Sequence, residues 1–313
     1  MTRAVVFAYH EVGCRGLAVL LDQGIDVALV VTHPDDPLES RWYGSVRELA
    51  CREHLPCIEP AQALLPGLAA ELSALAPDFL FSFYYRYLLP VPLLQTARQG
   101  ALNLHGSLLP RYRGRAPVNW AILRGERETG ASLHYMTERA DAGALVDQVA
   151  VPILLSDQAL DVSRKVAFAA ELILARSLGP LVAGRVSPRP LPFLRDEYYG
   201  RRRPEDGRID WRATALEIHN LIRAVAPPFP GAFTDCGPGR LWIDCARPDA
   251  EPVRHTVPTL YREGPGIFAD CGDGRRIEVL KYRWHLPDAG RPPDLQNPIV
   301  LGSPREENPH SRG

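Results

Sequence analysis

Lysine is almost missing from this chain of 313 residues: only Lys165 and Lys281 occur, so 36 − 2 = 34 of its cationic side chains are arginine. Neither lysine sits in a motif that would activate an amine, which sets Schiff-base catalysis aside. Net charge is lacking too. With 36 basic and 37 acidic residues the balance is −1, which does not draw the whole molecule to nucleic acid or an anionic membrane. No apolar run reaches the ~20 residues that span a bilayer. The opening Met1-Thr2-Arg3-Ala4-Val5-Val6-Phe7 breaks at Tyr9-His10-Glu11 and reads as a first strand rather than a signal peptide. A cytoplasmic location is expected. Six cysteines (Cys14, Cys51, Cys57, Cys236, Cys245, Cys271) include no C-x-x-C pair. Buried or half-buried thiols in a reducing compartment are expected, not a zinc site or a disulfide framework. The first βα turn, Ala8 to Gly16, has no G-x-G-x-x-G, so a nicotinamide or flavin dinucleotide is unsupported. No phosphate-binding G-x-x-x-x-G-K-[ST] and no nucleophile elbow G-x-S-x-G occurs either.

What is present is an alternation. Strand-like runs at Ala4–Phe7, Val27–Thr32, Phe79–Phe83 and Ala101–Leu104 are separated by helix-like stretches around Gly16–Gln23, Ser45–Glu53 and Pro66–Ala76. This spacing indicates an α/β fold: a Rossmann-like, mainly parallel sheet covered on both faces, with ligands beyond the carboxyl ends of its strands. Strand patterns at Ser132–Met136 and Ala144–Val151 and a helix from Asp157 to about Leu178 follow. A catalytic domain is expected over 1–187 and a proline-punctuated connector over 188–204. A helix at Ala213–Ala224 and short strands at Gly231–Thr234, Arg240–Cys245, Gly266–Ala269 and Arg276–Lys281 point to a small β-barrel-like, OB-like C-terminal domain over 205–285. The Pro-rich stretch 286–313 has no periodicity and is expected to be disordered.

Chemistry concentrates in Asn103-Leu104-His105-Gly106-Ser107-Leu108-Leu109-Pro110-Arg111-Tyr112-Arg113-Gly114-Arg115. Asn103 and His105 alternate at a strand end, so their side chains share one face. Such a pair serves equally well as working groups or as a capping Asn beside a hydrogen-bonded His. A second group, Arg139-Ala140-Asp141-Ala142-Gly143, offers a carboxylate that can orient His105 as the third member of a triad does, or simply a turn aspartate.

Together, Asn103-x-His105-Gly106-Ser107-Leu108-Leu109-Pro110, Tyr112-Arg113-Gly114 and the later Asp141 resemble the formyltransferase family that uses 10-formyltetrahydrofolate, over Ala4 to about Lys281. Val5 to His10, Tyr43-Gly44-Ser45-Val46, Phe81 to Arg86, Gly114 to Trp120, Gly200-Arg201-Arg202 and Ile222 to Ala226 are similar to the formyltransferase half of the bifunctional polymyxin-resistance enzymes. That half formylates the amine of UDP-4-amino-4-deoxy-L-arabinose for lipid A modification.

The resemblance implies 10-formyltetrahydrofolate as co-substrate, a nucleotide-sugar acceptor, no metal, and no nucleic-acid or membrane partner. A separate decarboxylase protein is expected for the pathway step that the bifunctional enzymes carry on the same chain. It implies His105 as general acid/base, Asn103 as donor to the oxyanion and Asp141 beside His105, favouring the imidazolium. The folate is expected at Tyr87, Leu88 and Leu89, at Thr137, Glu138, Arg139, Ala140 and Asp141, and near Arg115. Among Arg111, Arg113 and Arg115 at least one is expected to serve an anionic ligand, and Arg201–Arg203 is a further candidate for a diphosphate. His134 reads as packed, and His10 as cleft-facing or structural. The alternatives are another amino sugar or an amino-acid amine as acceptor, methionyl-tRNA, or a non-catalytic folate-binding module. The segment His33 to Arg41, with three acids and one arginine, disfavours tRNA.

Overall fold

A computed structural model describes residues 1–35, 41–192, 198–236, 239–286 and 291–302. Much of the acidic segment that disfavours tRNA, 36–40, lies outside these residues, as do 193–197 of the expected connector and 287–290 and 303–313 of the expected tail. The rest separates into two compact units. The first comprises Met1–Ala121, Glu126–Leu155 and Asp161–Arg201; the second comprises Ile122–Gly125, Ser156–Leu160 and the described residues from Arg202 onward.

Up to Tyr199 the chain runs β1 (Arg3–Ala8), α1 (His10–Asp22), β2 (Asp26–Val31), α2 (Val46–Arg52), β3 (Cys57–Ile58), α3 (Ala69–Leu75), β4 (Phe79–Phe83), α4 (Val91–Leu94), β5 (Gly100–His105), β6 (Arg113–Gly114), α5 (Pro117–Leu123), β7 (Glu128–Tyr135), β8 (Leu145–Pro152), α6 (Ala159–Val182) and β9 (Tyr198–Tyr199). The described residues of the first unit form a seven-stranded sheet in the order β3-β2-β1-β4-β5-β7-β8. The first five strands are mutually parallel, and β7 and β8 add antiparallel at one side. Successive residues of β1, Ala4 to Ala8, are all fully buried. A strand covered on both faces must read as a continuous apolar run, and this one does. The strand order turns back between β1 and β4, opening the crevice where such sheets take their ligands.

Local chemistry sets the helices. Ser45 caps α2, its Oγ accepting from Glu48 N at 3.1 Å. In α1, Gly16 lets the helix press onto β4: a Cβ there would sit 2.5 Å from the Phe83 ring. α5 was not expected from the sequence.

The second unit contains α7 (Ala215–Val225), β10 (Ala232–Cys236), β11 (Gly239–Pro252), β12 (Thr259–Glu263), β13 (Gly266–Asp270), β14 (Arg275–His285) and β15 (Ile299–Val300). A reciprocal Thr214–Glu217 capping box starts α7, whose apolar face buries Ile218 and Ile222. The described strands form one antiparallel sheet, β10-β11-β14-β13-β12-β15. Register shifts between β11 and β14, near Cys245 and near Asp249, add bend and twist to this half-barrel. Trp211 packs inside with its Nε1 donating to Thr234 Oγ1 at 3.0 Å.

One expectation is corrected. Residues 291–302, expected to be disordered, carry β15, which pairs with β12, and they bury Leu295 and Leu301. The apolar residues of this short stretch add an edge strand despite the prolines around them. Of the connector, Arg189 exchanges both main-chain hydrogen bonds with Leu145 at 2.8 Å, and β9 pairs with β6. Among the described residues no helix is long and apolar enough to cross a membrane.

Candidate active site

β5 carries Asn103 and His105 on one face, at the carboxyl end of the parallel part of the sheet. Because β7 runs antiparallel beside it, Asn103 faces His134 directly in the register, and facing residues of such a pair share a side. The link from β7 to β8 then returns Asp141 to the same place. It does so through two backbone requirements: Asp141 itself is left-handed (φ 50°), a conformation that Asp tolerates better than most residues. Gly143 lies so close to β7 that a Cβ would come within 1.9 Å of Tyr135 O.

The four side chains meet. His105 Nδ1 is 3.4 Å from Asp141 Oδ1, and His134 Nε2 is 3.5 Å from the same oxygen. Asn103 Nδ2 is 3.1 Å from His134 Nε2 and donates to Asp141 Oδ1 at 3.4 Å. Asp141 Oδ2 accepts from Gly114 N at 2.9 Å. His105 Nε2 is 2.9 Å from the Tyr112 carbonyl and His134 Nδ1 is 2.8 Å from the Tyr135 carbonyl. A carbonyl only accepts, so both rings donate at those nitrogens. His134 Nε2 is thus turned toward Asn103 Nδ2 and Asp141 Oδ1, and His105 Nδ1, facing Asp141 Oδ1, is the nitrogen left for proton transfer.

The cluster is nearly dry. His105 and His134 are buried, and the Asp141 side chain is 12% exposed. Burial pushes the Asp141 carboxyl up, but the charge of His105, the hydrogen bond and charge of His134 and the Gly114 amide outweigh it and hold the group well below the usual carboxylate range. Asp141 is therefore a fixed anion. Ser107, adjacent in sequence, is fully buried and donates to Arg111 O at 2.6 Å, so its hydroxyl is engaged by the main chain.

Asn103, His105 and Asp141 are thus brought together from two separate motifs. His134 joins them. The sequence reading treated His134 as merely packed, and only the antiparallel register of β7 on β5 reveals otherwise. Of the expected folate positions, Thr137, Arg139 and Asp141 line one pocket of about 180 Å³. The side chains of Tyr87 and Leu89 pack, with Met136, on a core cluster that includes Tyr85 and Ala101, while Leu88 is exposed. Glu138 is exposed and Ala140 half-buried in the loop between. Arg115 is exposed and donates to Arg86 O at 3.0 Å.

Beyond the ends of β1 and β4 lies an aromatic corner. The His10 ring sits 3.9 Å from Tyr43, 4.7 Å from Trp42 and 5.9 Å from Tyr84 by ring centroids. His10 and Tyr84 both have positive φ, 69° and 58°. Tyr84 Oη lies over Gly106, where a Cβ would come within 2.0 Å of it. His33 is stacked on Tyr85 and accepts from Arg86 N at 3.0 Å. Burial, helped by Arg86, lowers its pKa to about 4 and keeps it neutral. In the second unit Arg202 donates to Asp206 O at 2.9 Å and Arg203 N donates to Asp206 Oδ2 at 2.7 Å.

Comparison with known proteins places these features in context. The family profile described as formyl transferase matches residues 16–178, and the one described as formyl transferase, C-terminal domain, matches residues 202–285. Among solved structures, the N-formyltransferase from Helicobacter canadensis in complex with folinic acid and dTDP-3-aminofucose is similar. It has 19% identity and a TM-score of 0.72 over 89% of this chain and 99% of that one. WlaRD, a sugar 3N-formyl transferase solved in the presence of dTDP and 5-N-formyl-THF, gives 18% identity and a TM-score of 0.70 over 89% and 97%. A 4-N formyltransferase from Francisella tularensis gives 17% and 0.60 over 74% and 91%. At these identities the likeness is one of fold.

Proposed function

The chain belongs to the formyl transferase family and is an enzyme of that class, and on this premise we propose that it transfers the formyl group of 10-formyltetrahydrofolate to the amine of a nucleotide-linked amino sugar. The observation that carries the reading is the convergence of Asn103, His105 and Asp141 at the end of β5. The acceptor we infer is UDP-4-amino-4-deoxy-L-arabinose, with the 4-amine as the formylated group. The motifs around His10, Tyr43 and Tyr84 support it, since these resemble the aminoarabinose-formylating enzymes and come together beside Gly106. The product would enter lipid A modification, a source of polymyxin resistance. A dTDP-linked amino sugar is the second reading, favoured by the structural likeness to enzymes solved with dTDP-3-aminofucose or dTDP.

When bound, 10-formyltetrahydrofolate supplies the electrophilic formyl carbon. Thr137, Arg139 and Asp141, expected folate positions that share one pocket, would hold polar groups of that ligand. The residues of this chain do the rest. An ammonium cannot attack a carbonyl, so a proton must leave the acceptor amine, and another must reach the departing nitrogen. The amine gives up one proton to solvent before it attacks; as the new C–N bond forms, His105 Nδ1 takes the second and passes it to the departing folate nitrogen, the Asp141 carboxylate balancing the imidazolium in between. Nε2 stays on Tyr112 O and fixes the ring plane. Asn103 is positioned by Asp141 and His134 at the mouth of the same cluster, where an amide donor stabilises negative charge developing on the formyl oxygen; loss of one such donor typically costs ~100- to 1,000-fold in rate. Burial excludes water, which would otherwise compete as acceptor.

The test is His105→Ala. Formyl transfer should disappear while folate binding stays near that of the parent. Turnover retained within tenfold removes His105 from the mechanism.

A further inference from the structure

We propose that Arg113 is an oxyanion-binding residue: its guanidinium receives a phosphoryl or carboxylate group of a bound substrate in the pocket beside Asp141. The inference deepens the formyl-transfer reading and rests on it for the identity of the substrates. Three arginines alternate along residues 111–115, and the structure separates them. Arg111 is ion-paired with Glu126. Arg115 is exposed and donates to Arg86 O. Arg113 is 8% exposed, makes no side-chain hydrogen bond or ion pair among the described residues, and has a fully buried Nε without a partner.

A guanidinium in that state is costly. Buried charges are paired or neutralised, and arginine keeps its proton under all ordinary conditions. Asp141, the carboxylate that lines the same pocket, is already engaged: it faces Asn103, His105 and His134 through Oδ1 and Gly114 N through Oδ2. What lies in front of Arg113 is the pocket of about 180 Å³ that it lines with Arg139, Thr137 and Pro110. The Arg113 guanidinium is itself a forked donor array, which matches two oxygens of a phosphate or carboxylate.

The backbone of Arg113 is held firmly for this purpose. It pairs with Tyr198 in the β6–β9 ladder, and the next residue, Gly114, is fixed to Asp141. Gly114 has φ 103° and no room for a Cβ, which would come within 2.4 Å of Tyr199 O. A shift of the substrate oxyanion at Arg113 is therefore felt at Asp141 through one residue.

Both substrates in the proposed reaction carry such a group, the acceptor as a diphosphate and the folate as its glutamyl carboxylates. Calorimetric binding of UDP, inorganic pyrophosphate and 5-formyltetrahydrofolate to the parent, Arg113→Met and Arg113→Lys separates the sources. Arg113→Met should weaken one class at least ~10-fold, Arg113→Lys should restore part of the loss, and the melting temperature should hold or rise, since an unpaired buried charge has been removed. Weakening of UDP and pyrophosphate alone assigns the phosphoryl group; weakening of the folate alone assigns the carboxylate. Unchanged affinity for all three ligands, or a lowered melting temperature with loss of all three, overturns the proposal. Since these measurements need no turnover, failure to formylate any amino sugar would remove the proposed reaction without touching the outcome here.

Discussion

Replacing Asp141 by asparagine keeps the shape of the side chain and removes its charge. Asp141 Oδ1 lies 3.4 Å from His105 Nδ1, and the pair is mostly shielded from water. At an effective dielectric of about 20, unit charges at that separation interact by about 5 kcal/mol. At 1.36 kcal/mol per decade, this is an upper bound of between three and four decades in rate. His134 Nε2 at 3.5 Å and the Gly114 amide remain to steady the new amide, so a fall in kcat of about 10² to 10³ is expected with little change in KM. The pH–rate profile should move as well, because the protonated ring loses its counter-charge. A second consequence concerns stability. The folded carboxyl titrates below its ordinary range, so its stabilising contribution is complete above the unfolded value of about 4 and is lost as pH falls through the lower folded value. Asp141→Asn should therefore lose part of the parent's acid sensitivity below about pH 4. The assay is initial formyl transfer across pH 5–9 with thermal melting from pH 2 to 7. A kcat within threefold of the parent and an unmoved profile would refute the argument.

Other positions respond in ways the geometry specifies. Gly143→Ala places a methyl within 1.9 Å of Tyr135 O; it should destabilise by about 1–3 kcal/mol and, by displacing the Asp141 loop, reduce kcat, as read by melting and initial rates together. His134→Phe removes the polar neighbour of Asn103 Nδ2 and Asp141 Oδ1 and should lower kcat by about 10-fold or more while substrate KM values hold. His33 is neutral in the fold, with its pKa lowered from 6.5 to about 4. The unfolded chain then binds more protons between those values, so stability falls on acidification across that window by up to about 3 kcal/mol. His33→Phe should flatten that dependence between pH 6.5 and 4, at the cost of leaving Arg86 N without its acceptor.

Much of this architecture is written locally. The apolar run Val5-Val6-Phe7 cannot be anything but a strand buried on both faces, and the observed β1 is one. Phe79–Phe83 falls on β4 residue for residue. The strand at Thr259–Glu263 escaped notice because its Arg262 and Glu263 break the alternation, and its place is set by pairing with β13 and β15. β15 is two residues long and has no pattern to read; its partner defines it. The site divides in the same way. Asn103 and His105 were legible from period-two alternation, since they belong to one strand. Asp141 stood out as a carboxylate among small residues, but its meeting with His105 depends on the β7–β8 link, which spacing does not show. His134 escaped because its importance lies in register across a ladder, which no single segment encodes. The arginine run is the clearest case: the sequence offers Arg111, Arg113 and Arg115 as equals, and burial and pairing alone distinguish them.

The most direct measurement is formyl transfer from 10-formyltetrahydrofolate to UDP-4-amino-4-deoxy-L-arabinose, a dTDP-linked amino sugar and methionyl-tRNA, compared by kcat/KM. A value for the UDP sugar at least tenfold above the other two is the expected result. Formylation of methionyl-tRNA in preference to both sugars, or of none of the three despite folate binding, would contradict it.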